Sequence, residues 1–272
     1  MLKNYTLTRK LLFERLDLKI EREIVNILGV KVDVIDLKGL LQRLEIFINS
    51  GGKFRIMYFN INSANIAKND DEYKEILNSA DLVYCDGFGI AIGAKLLGNP
   101  PLFRMTGADW IYDLCSFCGE KYFSLYFLGG EPGVSKKAKE KLLKYYPNLK
   151  ISGTFHGYFN EEEAYRVLEE INFNSPDILL VGMGTPKQEK WINRNFDRIN
   201  VPVIWSVGAL FDFVSGKIPR GPRWMVGNGF EWFFRLVVEP RRLWRRYILG
   251  NPIFFFRILI QRCSKIFYYN NK

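Results

Sequence analysis

The stretch Pro176–Trp191, PDILLVGMGTPKQEKW, restricts what this chain can fold into more than any other. Ile178–Val181 is a short apolar run without alternation, the pattern of a strand buried on both faces of a parallel sheet. Gly182 and Gly184 follow at once, and Pro186 opens a helical pattern that carries Gln188, Glu189 and Trp191. A buried strand, a glycine turn and a helix start put backbone N–H groups and a positive helix end at the carboxyl edge of a sheet. Anionic ligands bind at such edges in α/β proteins. Glycine lets the backbone approach a ligand, and proline fits the first helical turn because its missing N–H would be unpaired there anyway. Taken alone, the stretch reads equally well as an ordinary βα turn. Its weight comes from similar edges elsewhere in the chain.

Val25–Val34 is β-rich, and Leu37–Asn49 has helical spacing that stops before Gly51-Gly52. Phe54–Phe59 reads as a strand leading into Asn60-Ile61-Asn62-Ser63, whose short polar side chains suit the cap of a helix running to about Ser79. Further strands are expected at Leu82–Tyr84, Tyr122–Leu128, Leu149–Gly153 and Val203–Val207, with helices between them. This alternation predicts an α/β fold: a largely parallel, Rossmann-like sheet with flanking helices and a C-terminal basic amphipathic helical appendage. Asn60–Asn62, Asp86, the Gly129-Gly130 turn, Gly182–Gln188 and Gly208–Asp212 all follow strands, so a parallel sheet puts them on one edge as one composite site. Asp86 has two readings: a carboxylate on a rigid strand end aimed into the crevice, or the N-cap of a helix over Phe88–Leu97. Arg104 lies in the loop PPLFRMTGADW. The GGEPGV exit resembles a phosphate loop but lacks the Lys-Ser/Thr of a P-loop and a full GxGxxG.

Charge divides the chain. Of its 39 Lys and Arg and 29 Asp and Glu, 12 basic and 2 acidic residues fall in Gly216–Lys272, which leaves Met1–Ser215 neutral and puts the whole net charge of +10 in the tail. A neutral body with a basic, aromatic tail calls for an acidic surface, either a membrane leaflet or nucleic acid. In Gly229–Gly250, GFEWFFRLVVEPRRLWRRYILG, a helical phase gathers Arg235, Arg242, Arg245 and Arg246 on one side, opposite Trp232, Phe233, Leu236, Leu243, Trp244 and Tyr247. The alternative is a helix packed on the body with solvated arginines. Pro240 should kink or divide this segment, and Asn251-Pro252 should interrupt the next apolar run. No stretch reaches about 18 uninterrupted apolar residues, so no transmembrane span is expected. Met1–Glu23 reads as a charged helical lead-in with no signal-peptide core. The domain expectation is therefore a lead-in over 1–24, an α/β core over 25–215 and a basic aromatic tail over 216–272. Four Cys in a chain this long point to a reducing compartment, and the CxxC of Cys115 and Cys118 has no second pair and only His156 as a histidine in the chain, so no zinc site is expected. His156 has no carboxylate near it in sequence and suits a packing role.

These residues resemble the WecB/TagA/CpsF glycosyltransferase family. The resemblance runs from Asn26 to about Asn251 and is carried by ILGVKVDVID, ADLVYCDGFGIAIGAKLLG, RMTGADW, FLGGEPGV, PDILLVGMGTPKQEKWI, VGALFDFVSGKIPRGPRWM and GFEWFFRLVVEPRRLWRRY, seven matches in one order. It implies transfer of a sugar, typically N-acetylmannosamine from its UDP donor, to a polyprenyl-diphosphate-linked sugar on the inner face of the cytoplasmic membrane. The products would feed teichoic acid or other cell-surface polysaccharide. It implies inversion at the anomeric carbon, with no cofactor and no metal. By the same resemblance Asp86 is the base. Arg104, Gln188 and the tail arginines Arg235, Arg242 and Arg245 complete the site, with Asn60, Asn62, Gly182 and Asp212 as further substrate-binding positions. Many relatives carry a Thr-x-Asn-x-Glu-like string after the second strand, where this chain reads Asn60-Ile61-Asn62-Ser63-Ala64.

The chemistry agrees with the residues. An inverting transfer needs one base for the acceptor hydroxyl, and a leaving diphosphate needs cations or helix N-termini. No DxD metal motif occurs, so arginine has to supply the metal's charge. The expected partners are a UDP-sugar, a polyprenyl-diphosphate sugar and an anionic membrane surface, without nucleic acid and with a homo-oligomer left open. The rival readings are another UDP-hexose as donor, a nucleic-acid-binding α/β protein, or a binding protein for lipid-linked glycan.

Overall fold

The computed structural model describes residues 22–270, and the lead-in expected over residues 1–24 falls almost wholly outside them. The first two strands, β1 (Ile24–Ile27) and β2 (Val30–Asp33), pair antiparallel as a separate two-stranded sheet. Val25–Val34 is thus a hairpin and not a strand of the parallel sheet. The cause is local: Leu28 and Gly29 both have positive φ, 53° and 86°, the geometry of a tight two-residue turn. Buried Asp33 ties the hairpin to the body. It pairs with Arg22 at 2.7 Å and accepts the Val83 N–H at 2.8 Å.

Six strands form the main sheet: β3 (Phe54–Phe59), β4 (Leu82–Cys85), β5 (Ser124–Gly129), β6 (Lys150–Phe155), β7 (Ile178–Gly182) and β8 (Val203–Ser206). Every pairing is parallel and the order is β4-β3-β8-β7-β5-β6. Both faces are covered, which explains the continuous apolar runs. Met57, Phe59, Val83, Leu179 and Val181 face one core layer, and Ile56, Leu82, Leu180, Val203 and Trp205 face the other. In the second layer Trp110 stacks on Trp205 with ring centroids 4.3 Å apart, and Tyr84 packs edge-on to both.

The helix expected from Asn60 to about Ser79 is two, Ile61–Ala67 and Asp71–Asn78. Asp70 makes the break. Its carboxylate accepts the Tyr73 N–H at 3.0 Å, which is an N-cap signal inside an otherwise helical pattern. The glycines that end β5 and β7 and follow β8 have a packing cause. A Cβ on Gly129 would lie 2.2 Å from the Gly182 carbonyl oxygen, and one on Gly182 would lie 2.7 Å from that of Gly208. Three strand exits meet backbone to backbone, and only glycine permits the approach.

From Arg223 the described tail is mostly helical: Arg223–Gly227, Glu231–Val238, Pro240–Trp244, a wide π turn over Arg245–Leu249, and a long helix Gly250–Asn270. Pro240 divides the segment as expected, with Glu239 off helical geometry at φ −129°. Asn251-Pro252 does not interrupt the following apolar run. It lies directly after the π turn, inside a helix that continues unbroken from Pro240. Phe254 and Ile258 of this helix are fully buried in the first core layer, against Ile90 and Ala94. Gly93 makes room, since a Cβ there would sit 2.8 Å from the Phe254 ring. Phe254→Ala is expected to lower the unfolding free energy by about 3–5 kcal/mol. Phe256→Ala, at a position 65% exposed, should cost less than about 0.5 kcal/mol. Urea denaturation of the two variants measures the difference.

Candidate active site

The exits of β4, β3 and β8 open into one cleft of about 300 Å³, roofed by the tail. Asp86 lies at its base. Its backbone N–H donates to the Phe59 carbonyl at 2.9 Å, so the residue continues the sheet ladder and does not ride on a loop. Its side chain caps nothing: the N-cap of the helix Phe88–Leu96 is Gly87, at φ 95° and without a side-chain cap bond. Instead Asp86 Oδ2 accepts from Asn60 Nδ2 at 3.0 Å. Asn60 is committed in both directions, because its Oδ1 caps the helix Ile61–Ala67 through the Ser63 N–H. Burial pushes the Asp86 carboxyl above the usual carboxylate range, against the pull of the Asn60 bond and of Arg246, Arg235 and Arg104.

Those three arginines line the cleft. Arg104 is fixed by Asp109 at 3.0 Å, by Glu231 at 3.9 Å and by stacking on the Phe88 ring. Its loop is pinned to the end of β4 by the Met105 N–H on the Cys85 carbonyl. Arg235 stacks on Phe213, and its Nε is buried with no hydrogen-bond partner among the described residues. Glu231, on the roof, is a second cleft carboxyl. Burial raises its pKa, Arg220 opposes the rise and the charge of Asp86 adds to it. Two helix N-termini without side-chain caps, at Gly87–Gly89 and Thr106–Ala108, also form the wall. Recessed carboxyls, three guanidiniums that each lie over an aromatic ring (Arg246 over Tyr247) and free helix ends suit a ligand that carries both hydroxyls and phosphates.

Of the residues expected from sequence, the fold brings Asn60, Asn62, Asp86, Arg104 and Arg235 to this cleft. Gly182 is buried at the end of β7 among the glycine exits. Asp212 sits outside the cleft with Lys217 at 3.7 Å, its carboxyl raised by burial. Arg242 is exposed and pairs with Glu239 at 2.6 Å, while Arg245 is exposed over the Trp244 ring. Arg246, which the helical phase also grouped with Arg235, is the one that reaches the cleft, in a segment divided at Pro240 and widened by the π turn. Gln188 lies fully buried beneath the floor. Its Nε2 donates to Glu189 Oε1 at 2.7 Å, and its Oε1 accepts the Gly208 N–H at 3.1 Å. Sequence reasoning missed Tyr58, Glu189 and Glu231. The only signal for Tyr58 was its position two residues before Asn60.

A family model described as "Glycosyl transferase WecG/TagA/CpsF family" matches residues 25–267, and the chain belongs to that family of glycosyltransferases. A Bacillus subtilis (strain 168) protein is 30% identical over 200 residues, 74% of this chain and 77% of the relative. A Staphylococcus aureus (strain MRSA252) protein is 27% identical over 236 residues, 86% of this chain and 91% of the relative. Both are named N-acetylglucosaminyldiphosphoundecaprenol N-acetyl-beta-D-mannosaminyltransferase.

Glu189 gives a pH signature. Burial lifts its carboxyl from 4.5 to about 7, against the hydrogen bond from Gln188. The folded chain holds this proton more tightly than the unfolded one. The stabilisation is complete below the unfolded value and is lost as pH rises through the folded value, amounting to about 3 kcal/mol between the two. The unfolding free energy of the wild type should therefore fall by about that amount relative to Glu189→Gln between pH 4.5 and pH 8. Parallel curves for the two proteins in denaturant titrations would refute the assignment.

Proposed function

We propose that this glycosyltransferase moves N-acetylmannosamine from its UDP donor to an N-acetylglucosamine carried on a polyprenyl diphosphate, with Asp86 as the general base. The observation that carries the reading is the recessed Asp86 carboxyl, oriented by Asn60 and surrounded by Arg104, Arg235 and Arg246 in one cleft. The names of the relatives support the acceptor and the transferred sugar. Asp86 takes the proton of the acceptor hydroxyl as that oxygen bonds to the anomeric carbon. The bond from that carbon to the diphosphate oxygen breaks on the opposite face, and UDP leaves with the electron pair. The negative charge it gains is met by the three guanidiniums and the uncapped helix ends, which are already oriented before the reaction. A carboxyl raised by burial is a stronger base than an exposed one, so the rate should climb with pH through a value above the ordinary carboxylate range.

The outer surface of the tail supports a peripheral membrane contact. Trp224, Phe233, Trp244, Ile253, Phe256 and Ile260 are exposed on a segment that carries the whole charge excess. Among the described residues no helix is long and apolar enough to cross a membrane.

Transfer is tested with a panel of UDP-sugars and a synthetic diphosphate-lipid N-acetylglucosamine. UDP-N-acetylmannosamine should be used at least tenfold better than the other donors, and equal use of glucose or galactose donors would overturn the sugar assignment. Asp86→Asn should lower kcat by ~10²–10⁴-fold with the fold intact. EDTA should leave turnover unchanged, since arginine supplies the charge on the leaving group. A chelated enzyme that only Mg²⁺ or Mn²⁺ revives contradicts that assignment. The triple change Trp224→Ser, Trp244→Ser, Phe256→Ser should weaken sedimentation with anionic liposomes while leaving turnover on a short-chain soluble acceptor unaltered.

A further inference from the structure

Beneath the cleft floor lies a polar cluster whose hydrogen bonds run in one direction. Glu189 Oε1 accepts from Gln188 Nε2 at 2.7 Å and from Thr185 Oγ1 at 3.2 Å. Thr185 has a single hydroxyl proton and this bond uses it. At its 2.7 Å contact with Tyr58 the phenol is therefore the donor. The second hydrogen on Gln188 Nε2 lies between the Tyr58 oxygen, 3.3 Å away, and Thr185 Oγ1, 3.4 Å away. Tyr58 thus gives its only proton to Thr185 and shares one from Gln188 with it. What remains on its oxygen is acceptor capacity.

Of these four residues only Tyr58 also lines the cleft, where the charges of Asp86 and Arg246 act on its hydroxyl. The same cluster sets the opposite wall. Gln188 Oε1 holds the Gly208 N–H, and a Cβ at Gly208 would come within 2.8 Å of the Tyr58 oxygen. Gln188 and Glu189 are fully buried, and none of Thr185, Gln188 and Glu189 lines the cleft. Their effect on a ligand has to pass through Tyr58 and Gly208.

We infer that Tyr58 is a substrate-contacting residue that accepts a hydrogen bond from an O–H or N–H of the bound sugar nucleotide, and that Thr185, Gln188 and Glu189 are positioning residues acting through it. The inference rests on the cleft being the transfer site proposed above. It gives the PKQE turn a role in the reaction without contact with substrate. The buried, inward-facing Glu189 keeps its oxygen as the common acceptor at the end of the chain.

Tyr58→Phe keeps the ring and removes the oxygen. It should lower kcat/KM for the UDP-sugar about tenfold and weaken donor binding in calorimetry, with the thermal midpoint little changed. Thr185→Val and Glu189→Ala, which break the chain behind the phenol, should lower kcat/KM similarly. Added to Tyr58→Phe they should cause no further loss, because all three remove one interaction. Glu189→Gln retains an oxygen for both bonds and should restore kcat/KM at neutral pH, which a role that depends on the carboxylate charge would not allow. A Tyr58→Phe enzyme within twofold of wild type, or losses that multiply in the double variants, overturns the inference. Asp86→Asn run in parallel separates the two claims. If it is inactive while Tyr58→Phe is intact, only the role of Tyr58 falls, and if it is fully active the site itself is wrong.

Discussion

Phe54, Arg55 and Ile56 of β3 pair in register with Val203, Ile204 and Trp205 of β8, and this seam joins the first strand of the sheet to the last. The cleft depends on it. Asn60 and Asp86 leave the sheet on one side of the seam and Gly208 on the other, so without this pairing their exits would not be neighbours. The seam is held by burial on both faces. Trp205 is clamped by Trp110 and Tyr84 in one layer, and Met57 and Phe59 meet Ile204 in the other. Large aromatic pairs add stabilisation beyond their area and fix the spacing of the elements that carry them. One of those elements is the helix whose first turn, Thr106–Ala108, forms part of the cleft wall.

The electrostatics of the cleft are balanced before any ligand arrives. Burial opposes ionisation of Asp86 and Glu231, while Arg104, Arg235, Arg246 and Arg220 favour it. The arginines are held in turn. Asp109 takes Arg104 and Arg220, and the rings of Phe88 and Phe213 carry Arg104 and Arg235. A diphosphate entering such a site meets guanidiniums whose orientation has already been set, and little reorganisation is left for the moment when charge develops. Asp109 and Glu231 keep the excess of positive charge from standing alone in a partly dry cavity, where it would be costly.

The tail divides its side chains among three surroundings by helical phase. On the last helix Phe254 and Ile258 point into the core, Asn251 and Phe255 reach the cleft, and Ile253, Phe256 and Ile260 remain outside. One segment thus packs the body, closes the candidate site and presents an apolar edge flanked by basic residues. If that edge meets a bilayer, as proposed, the cleft roof and the membrane surface are parts of the same helices. An acceptor with a lipid anchor would then arrive beside the roof.

Local sequence was enough for the elements and for the edge they share. Apolar runs that fill both faces of a strand, glycines after them and polar caps are short-range signals. The strands from Phe54 to Ser206, the helix Leu37–Asn49 and the division at Pro240 follow from them. Local sequence put Asp86 at a strand exit but left it between a cap and a cleft carboxylate, and Arg104 was only a loop arginine, so the resemblance to a family is what singled both out. Long-range packing decided the rest. Leu28-Gly29 turned β1 and β2 into a hairpin that Asp33 anchors to β4, a contact no window of sequence contains. The glycines of the β5 and β7 exits proved to serve backbone contact between exits, since their neighbours lie far away in the chain. Of the arginines that helical phase grouped together, Arg246 and not Arg242 or Arg245 meets the cleft, because the proline break and the π turn decide which part of that face lies over the body. Gln188 turned inward where the Gly208 N–H and Tyr58, 130 residues away, offered partners under the floor, and Glu189 accepts from Gln188 there. Sequence by itself determined which groups stand at the sheet edge. Only the tertiary structure decided which of them face the same few ångströms of space, because that depends on contacts between segments that the chain keeps far apart.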